Sequence, residues 1–151
     1  MSYQYITKMN LNQIKKKSVL IIGSGYMAQQ YSNSLNKMGI NDVAIIGNLK
    51  NKVEKLGKKY DFETLSGGFE INLPDIEKKD LVIVATPIEL LVPAAKLALK
   101  FGQKNILLEK PGSLYSEPLK SLENNCKGKK VCLAYNRLFY PSFHKLLELI
   151  K

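Results

Sequence analysis

Gly23, Gly25 and Ala28 stand at the spacing G-x-G-x-x-[G/A], directly behind four consecutive apolar residues, Val19 to Ile22. The first glycine permits a tight turn, and the second lets main-chain N–H groups approach a pyrophosphate. The small third residue lets a helix pack close to the strand. A phosphate held there would meet unpaired amides and the positive end of a helix dipole. Gly23, Ser24, Gly25, Tyr26 and Met27 are therefore candidate ligands of a dinucleotide, with a purely structural strand-to-helix turn as the alternative. Three further groups stand where predicted strands end: Ala85-Thr86-Pro87, Glu109-Lys110-Pro111 and Tyr135-Asn136-Arg137. Glu109 and Lys110 form a charged pair abutting a buried strand and a proline, which favours a site over a surface ion pair. Thr86-Pro87 is explained equally well as a helix cap, Asn48 as another cap, and Tyr135 as a core aromatic with a wet hydroxyl. His144, the one histidine, falls off the apolar face of its helix and is expected to be solvated.

The elements needed to position these groups are legible as alternating strands and helices, the pattern of an α/β, doubly wound parallel sheet in three layers. Strands are predicted at about 18–22, 42–46, 63–65, 81–85, 105–109 and 131–135. Helices are predicted at 26–38, from Asn48 to about 60, 87–101, 117–125, and from Pro141 onward. Thr86 as N-cap, Pro87 in the first helical position and Glu89 reaching back would make a capping box, and Ser116 would cap the following helix. The last helix should carry its apolar face on Phe143, Leu146, Leu147 and Ile150. The expected organisation is a lead-in over 1–17, a dinucleotide-binding domain over 18–140, and a connecting helix over 141–151. In an open parallel sheet, ligands sit beyond the carboxyl ends of the strands. All four candidate groups lie at such ends.

Composition bounds the rest. The chain has 151 residues, 45% of them hydrophobic, enough for one packed domain. No apolar run approaches the roughly 18 residues that cross a bilayer, which argues against a membrane partner. Cys126 and Cys132 form neither a CxxC pair nor a metal set, so they read as reduced thiols of a cytoplasmic protein. The formal charge is +10, but among 23 basic residues only Arg137 is an arginine. Nucleic-acid recognition leans on arginine's planar donors, so scattered lysines argue for a solvated surface that attracts anionic ligands rather than nucleic acid.

Taken together, Ala85-Thr86-Pro87, Leu107-Leu108-Glu109-Lys110-Pro111 and Ala134-Tyr135-Asn136-Arg137-Leu138-Phe139, in this order behind the glycine turn, resemble the N-terminal Rossmann domain of the Gfo/Idh/MocA family of NAD(P)-dependent oxidoreductases. The resemblance covers the chain from about Lys17 onward. It implies hydride transfer between nicotinamide C4 and a hydroxyl- or keto-bearing carbon, commonly of a sugar or related polyol. It gives Lys110 the part of orienting substrate and stabilising oxyanion charge, and Glu109 a contact with the nicotinamide ribose. It makes Lys110–Pro111 a candidate cis bond that would direct the lysine, and it places Asn136 and Arg137 at the nicotinamide end of the cleft. A non-catalytic nucleotide-binding sensor is the rival reading.

Departures from the family pattern matter too. Where an acidic residue at the end of strand two would bind the ribose 2′-hydroxyl of NAD, this chain has Ile46-Gly47-Asn48-Leu49-Lys50. A neutral Asn48 beside Lys50 and Lys52 mildly favours NADP(H) over NAD(H). The Asn and His that often follow Thr-Pro in the family are Ile88 and Leu91 here. Family members also continue into a second α+β domain that supplies substrate contacts and a dimer surface. A chain ending at Lys151 would then be a piece of a longer protein or a short relative, with a homo-oligomer left open. Alone it should turn over poorly.

Overall fold

The computed structural model describes residues 11–150. The turn α1 (Leu11–Ile14) leads into β1 (Val19–Ile22), α2 (Tyr26–Lys37), β2 (Val43–Gly47), α3 (Lys50–Tyr60) and β3 (Glu63–Ser66). There follow the short α4 (Phe69–Asn72), β4 (Leu81–Val84), α5 (Ile88–Lys100), β5 (Asn105–Leu108), α6 (Ser116–Glu123), β6 (Lys130–Leu133) and α7 (Pro141–Leu149). All six strands are parallel, in the order β3-β2-β1-β4-β5-β6. This is the Rossmann-type doubly wound arrangement, and the strand order reverses between β1 and β4. The predicted fold class is the observed one.

The four apolar residues of β1 are each 0–1% exposed because both faces of the sheet are covered. Successive side chains point to opposite faces. Leu20 and Ile22 join Val82, Val84 and Leu108 under α4, α5 and α6, whereas Val19 and Ile21 join Val43, Ile45 and Ile83 under α2 and α3. Edge strands are less buried: Glu63 and Ser66 at the ends of β3, and Lys130 and Cys132 in β6, are exposed. At the amino ends, Asp80 accepts hydrogen bonds from the Ser18 N–H and from Lys17 Nζ, and Asn105 Nδ2 donates to the Asp80 carbonyl. β1, β4 and β5 thereby share one anchor.

Helix starts fall a residue away from where capping chemistry predicts. Pro87, not Thr86, is the N-cap of α5, and no side chain caps that helix. Proline holds its predecessor extended, and Pro87 is itself extended at ψ 154°. The Thr86 hydroxyl therefore sits one residue too early to reach the helix amides, and no capping box with Glu89 forms. Leu49 rather than Asn48 is the N-cap of α3, and Tyr115 rather than Ser116 that of α6. Ser116 is the first helical residue, and its hydroxyl donates to the Glu117 carboxylate. α7 packs against the one-turn 3-10 helix before it (Asn136–Phe139), and Leu146, Leu147 and Ile150 are exposed. His144 is half-buried and stands edge-on to Phe143, contrary to the solvated position expected. No described helix is long and apolar enough to cross a membrane, and no metal-binding cluster occurs among the described residues. Residues 1–10 of the expected lead-in lie outside the described residues.

Candidate functional site

An open cleft of about 520 Å³ lies at the carboxyl ends of β1, β2, β4 and β5, over the strand-order reversal. That volume falls within the range of about 300–1,000 Å³ typical of small-molecule sites. Each wall comes from one strand end. Gly23, Ser24, Gly25, Tyr26 and Met27 follow β1; Gly47, Asn48, Leu49 and Lys52 follow β2; Ala85, Thr86 and Pro87 follow β4; Glu109 and Lys110 follow β5. With Gly68 and Phe69 following β3, five parallel strands ending together deliver five connections to one place, which is why residues so distant in sequence meet.

The glycine turn is built by close approach. Gly23 takes φ +126°, and a Cβ on it would overlap the Ala85 carbonyl oxygen, so only glycine lets the β1–α2 and β4–α5 connections touch. Gly25 is different: it is the N-cap of α2 at φ −85°, and a Cβ there would meet nothing within 4 Å. The first turn of α2 has no side-chain cap and no acidic residue, so its leading N–H groups lack intrahelical partners and keep the positive end of the dipole uncompensated. The Thr86 hydroxyl, on the adjoining β4–α5 connection, is buried without a hydrogen-bond partner among the described residues. An uncapped helix start with open space at Gly25 fits a diphosphate-bearing ligand.

At one end of the cleft, Glu109 is 7% exposed, and its carboxylate accepts a 2.5 Å hydrogen bond from the Tyr31 hydroxyl on α2. It makes no ion pair with Lys110, so the surface-pair alternative does not describe it. Lys110 is exposed, and its bond to Pro111 is cis. Burial, reinforced by the Glu109 carboxylate, pushes the Tyr31 phenol well above its usual value, so Tyr31 stays a proton donor at neutral and mildly alkaline pH. At the other end, Lys52 lines the cleft, whereas Lys50 lies outside the lining and pairs with Glu54 at 3.8 Å. The Gly67-Gly68 loop closes this end, with Gly68 so near Asn48 that a Cβ would come within 2.5 Å of its Oδ1.

Of the residues singled out from sequence, Gly23, Ser24, Gly25, Tyr26, Met27, Asn48, Ala85, Thr86, Pro87, Glu109 and Lys110 line this cleft, and Asn136 and Arg137 do not. The latter pair sit on the turn after β6, at the sheet edge, two strand spacings of about 4.8 Å beyond β4. Sequence reasoning missed Gly68, Phe69, Leu90 and the Tyr31–Glu109 bond. Gly67-Gly68 reads as an ordinary loop and Tyr31 as a helix core position, so neither carried a signal.

Comparison with known proteins bears on this site. A family model for Gfo/Idh/MocA proteins, described as an oxidoreductase family with an NAD-binding Rossmann fold, matches residues 17–137. Mitochondrial alpha-aminoadipic semialdehyde synthase of Bos taurus is 33% identical over 97 residues, 56% of this chain and 10% of that protein. Biliverdin reductase from Synechocystis sp. PCC 6803, solved with biliverdin and NADP+, superposes with a TM-score of 0.75 at 23% identity, over 88% of this chain and 42% of that one. An oxidoreductase from Agrobacterium radiobacter, solved with NAD+, L-tartaric acid and magnesium, gives 0.79 at 14% identity, over 89% and 40%. The chain thus spans about two fifths of the length of these solved structures.

Proposed function

Since this chain belongs to the Gfo/Idh/MocA oxidoreductase family and is an NAD(P)-binding Rossmann domain, we propose that it forms the cofactor half of an enzyme transferring hydride to or from a hydroxyl- or keto-bearing carbon of a sugar or related polyol. The observation that carries this reading is the cleft over the β1–β4 reversal, with the uncapped α2 start on one wall and Glu109-Lys110 on another. In the proposal, the amides from Gly23 to Met27 bind the pyrophosphate and Thr86 supplies a further hydrogen bond. Glu109 accepts from the nicotinamide-side ribose. Lys110, exposed at the mouth, holds the substrate oxygen and stabilises its negative charge as the hydride moves. A bound nicotinamide supplies the hydride carrier at C4.

Lys52 and the neutral Asn48 line the cleft, and no acidic residue stands at the end of β2 itself, the nearest carboxylate there being that of Glu70 beside Gly68. The proposed cofactor is therefore NADP(H) before NAD(H). An exposed pair of this kind is worth about 1 kcal/mol, or roughly five-fold in affinity. Calorimetric titration with NADPH and NADH tests this directly. Both should bind, NADPH more tightly; failure of both would overturn the reading, and a preference for NADH would overturn the part given to Lys52. In turnover assays of a full-length enzyme carrying this domain, with sugar or polyol substrates, Lys110→Ala should abolish activity while changing NADPH affinity by less than about two-fold.

A further inference from the structure

Resting on the cofactor reading above, we infer that Tyr31 is a positioning residue, its hydroxyl aiming the Glu109 carboxylate at the nicotinamide-side ribose. Tyr31 lies on α2, beyond the glycine turn, and its ring packs against the cluster between α2, α3 and the sheet. It does not line the cleft, so it can act only through another residue. The main chain of Glu109 is pinned at both ends: its N–H donates to the Val84 carbonyl at 2.9 Å, and its own carbonyl accepts from the Gly112 N–H at 3.0 Å. Its side chain is held differently. Among the described residues, Tyr31 is the one side chain that hydrogen-bonds the carboxylate, and no cation pairs with it. A carboxylate buried to this degree needs hydrogen-bond donors to hold one rotamer. Tyr31 provides one from the far side of the strand-order reversal, 78 positions away in sequence. One carboxylate oxygen is thus engaged by the protein, which leaves the other for a ligand hydroxyl in the cleft. Because burial keeps the phenol protonated, this donor persists throughout the neutral range.

A tyrosine that merely fills the core would change stability without acting on the nicotinamide-side ribose through Glu109. NADPH is titrated into the wild type, Tyr31→Phe, Glu109→Ala and the double variant, and adenosine 2′,5′-bisphosphate serves as a probe that lacks the nicotinamide-side ribose. Melting curves accompany each titration, and Tyr31→Phe preserves the ring. Tyr31→Phe should weaken NADPH roughly five- to ten-fold, leave the bisphosphate unchanged, and cost nothing further in the Glu109→Ala background. Equal weakening of both ligands, an equal loss with and without Glu109, or no loss at all would overturn the inference. A wild-type chain that binds the bisphosphate but responds to none of these substitutions would overturn it and leave the cofactor reading standing. Binding of neither ligand would overturn the inference, and the cofactor reading with it where NADH also fails to bind.

Discussion

At Gly23 an added Cβ would strike the Ala85 carbonyl at φ +126°, whereas at Gly25 it would enter open space at φ −85°. The two glycines of one motif therefore do different work, and their alanine variants should separate stability from binding. Gly23→Ala is expected to cost about 2–4 kcal/mol of stability, combining a strained backbone with a backbone overlap. Gly25→Ala should cost at most about 1 kcal/mol, as alanine is a poor N-cap, yet weaken NADPH at least about ten-fold, because the methyl takes the space meant for the pyrophosphate. Urea melts together with calorimetry check both; normal binding by Gly25→Ala would show that the turn is structural only. Residue-level reading also divides the two lysines. Lys52→Ala should bring NADPH affinity down to that of NADH, whereas Lys50→Ala, which breaks only an exposed helical pair, should change neither by more than about two-fold.

Elements are held together at the end of the sheet opposite the cleft. Asp80 accepts from Lys17 Nζ at 2.8 Å, from the Ser18 N–H at 2.9 Å and from the Ser18 hydroxyl at 3.2 Å, and its own N–H donates to Ser18 Oγ at 3.1 Å. The Lys17 hydrogen bond first, and the Ser18 N–H second, hold its carboxyl below the ordinary carboxylate range. A depressed folded-state pKa contributes stability above the unfolded value of about 3.9, and that contribution disappears as pH falls through the folded value. Solvent screens the group, so the effect is small. Asp80→Asn should lower the melting temperature by roughly 2–4 °C at pH 7, and the gap should close towards pH 3. Thermal melts at the two pH values decide it; a gap of constant size would show that the carboxylate charge plays no part. Gln103, fully buried nearby, adds a neutral tie by accepting from the Lys79 N–H and donating to the Glu77 carbonyl.

On the scale of the whole molecule, a formal charge of +10 favours the approach of an anionic ligand. Salt should screen that attraction over about 10 Å at 0.1 M and about 3 Å at 1 M. NADPH, which carries the extra phosphate, should therefore lose more affinity than NADH as sodium chloride is raised. Parallel titrations at low and high salt test this, and identical salt slopes for the two cofactors would show that the surplus charge does not reach the cleft. Ligand binding should also raise the melting temperature, by about 2.7 kcal/mol of added stability at a hundred times the dissociation constant.

What could be read from residues alone was whatever is encoded locally. Val19–Ile22 and Leu81–Val84 are continuous apolar runs because both of their faces are buried, and the glycine spacing announces its turn within a few positions. β3 is harder to read because an edge strand buries only part of its surface and carries polar residues. The helix starts lie one residue from Thr86, Asn48 and Ser116 because the backbone path, and not a capping side chain, sets where each helix begins. Tertiary structure alone decided the rest. Strand order put Glu109 beside the glycine turn and moved Asn136 and Arg137 out to the edge, and it brought Tyr31 to Glu109 across 78 positions. Such contacts follow from which strands are neighbours and in what register, and no window of sequence contains that information.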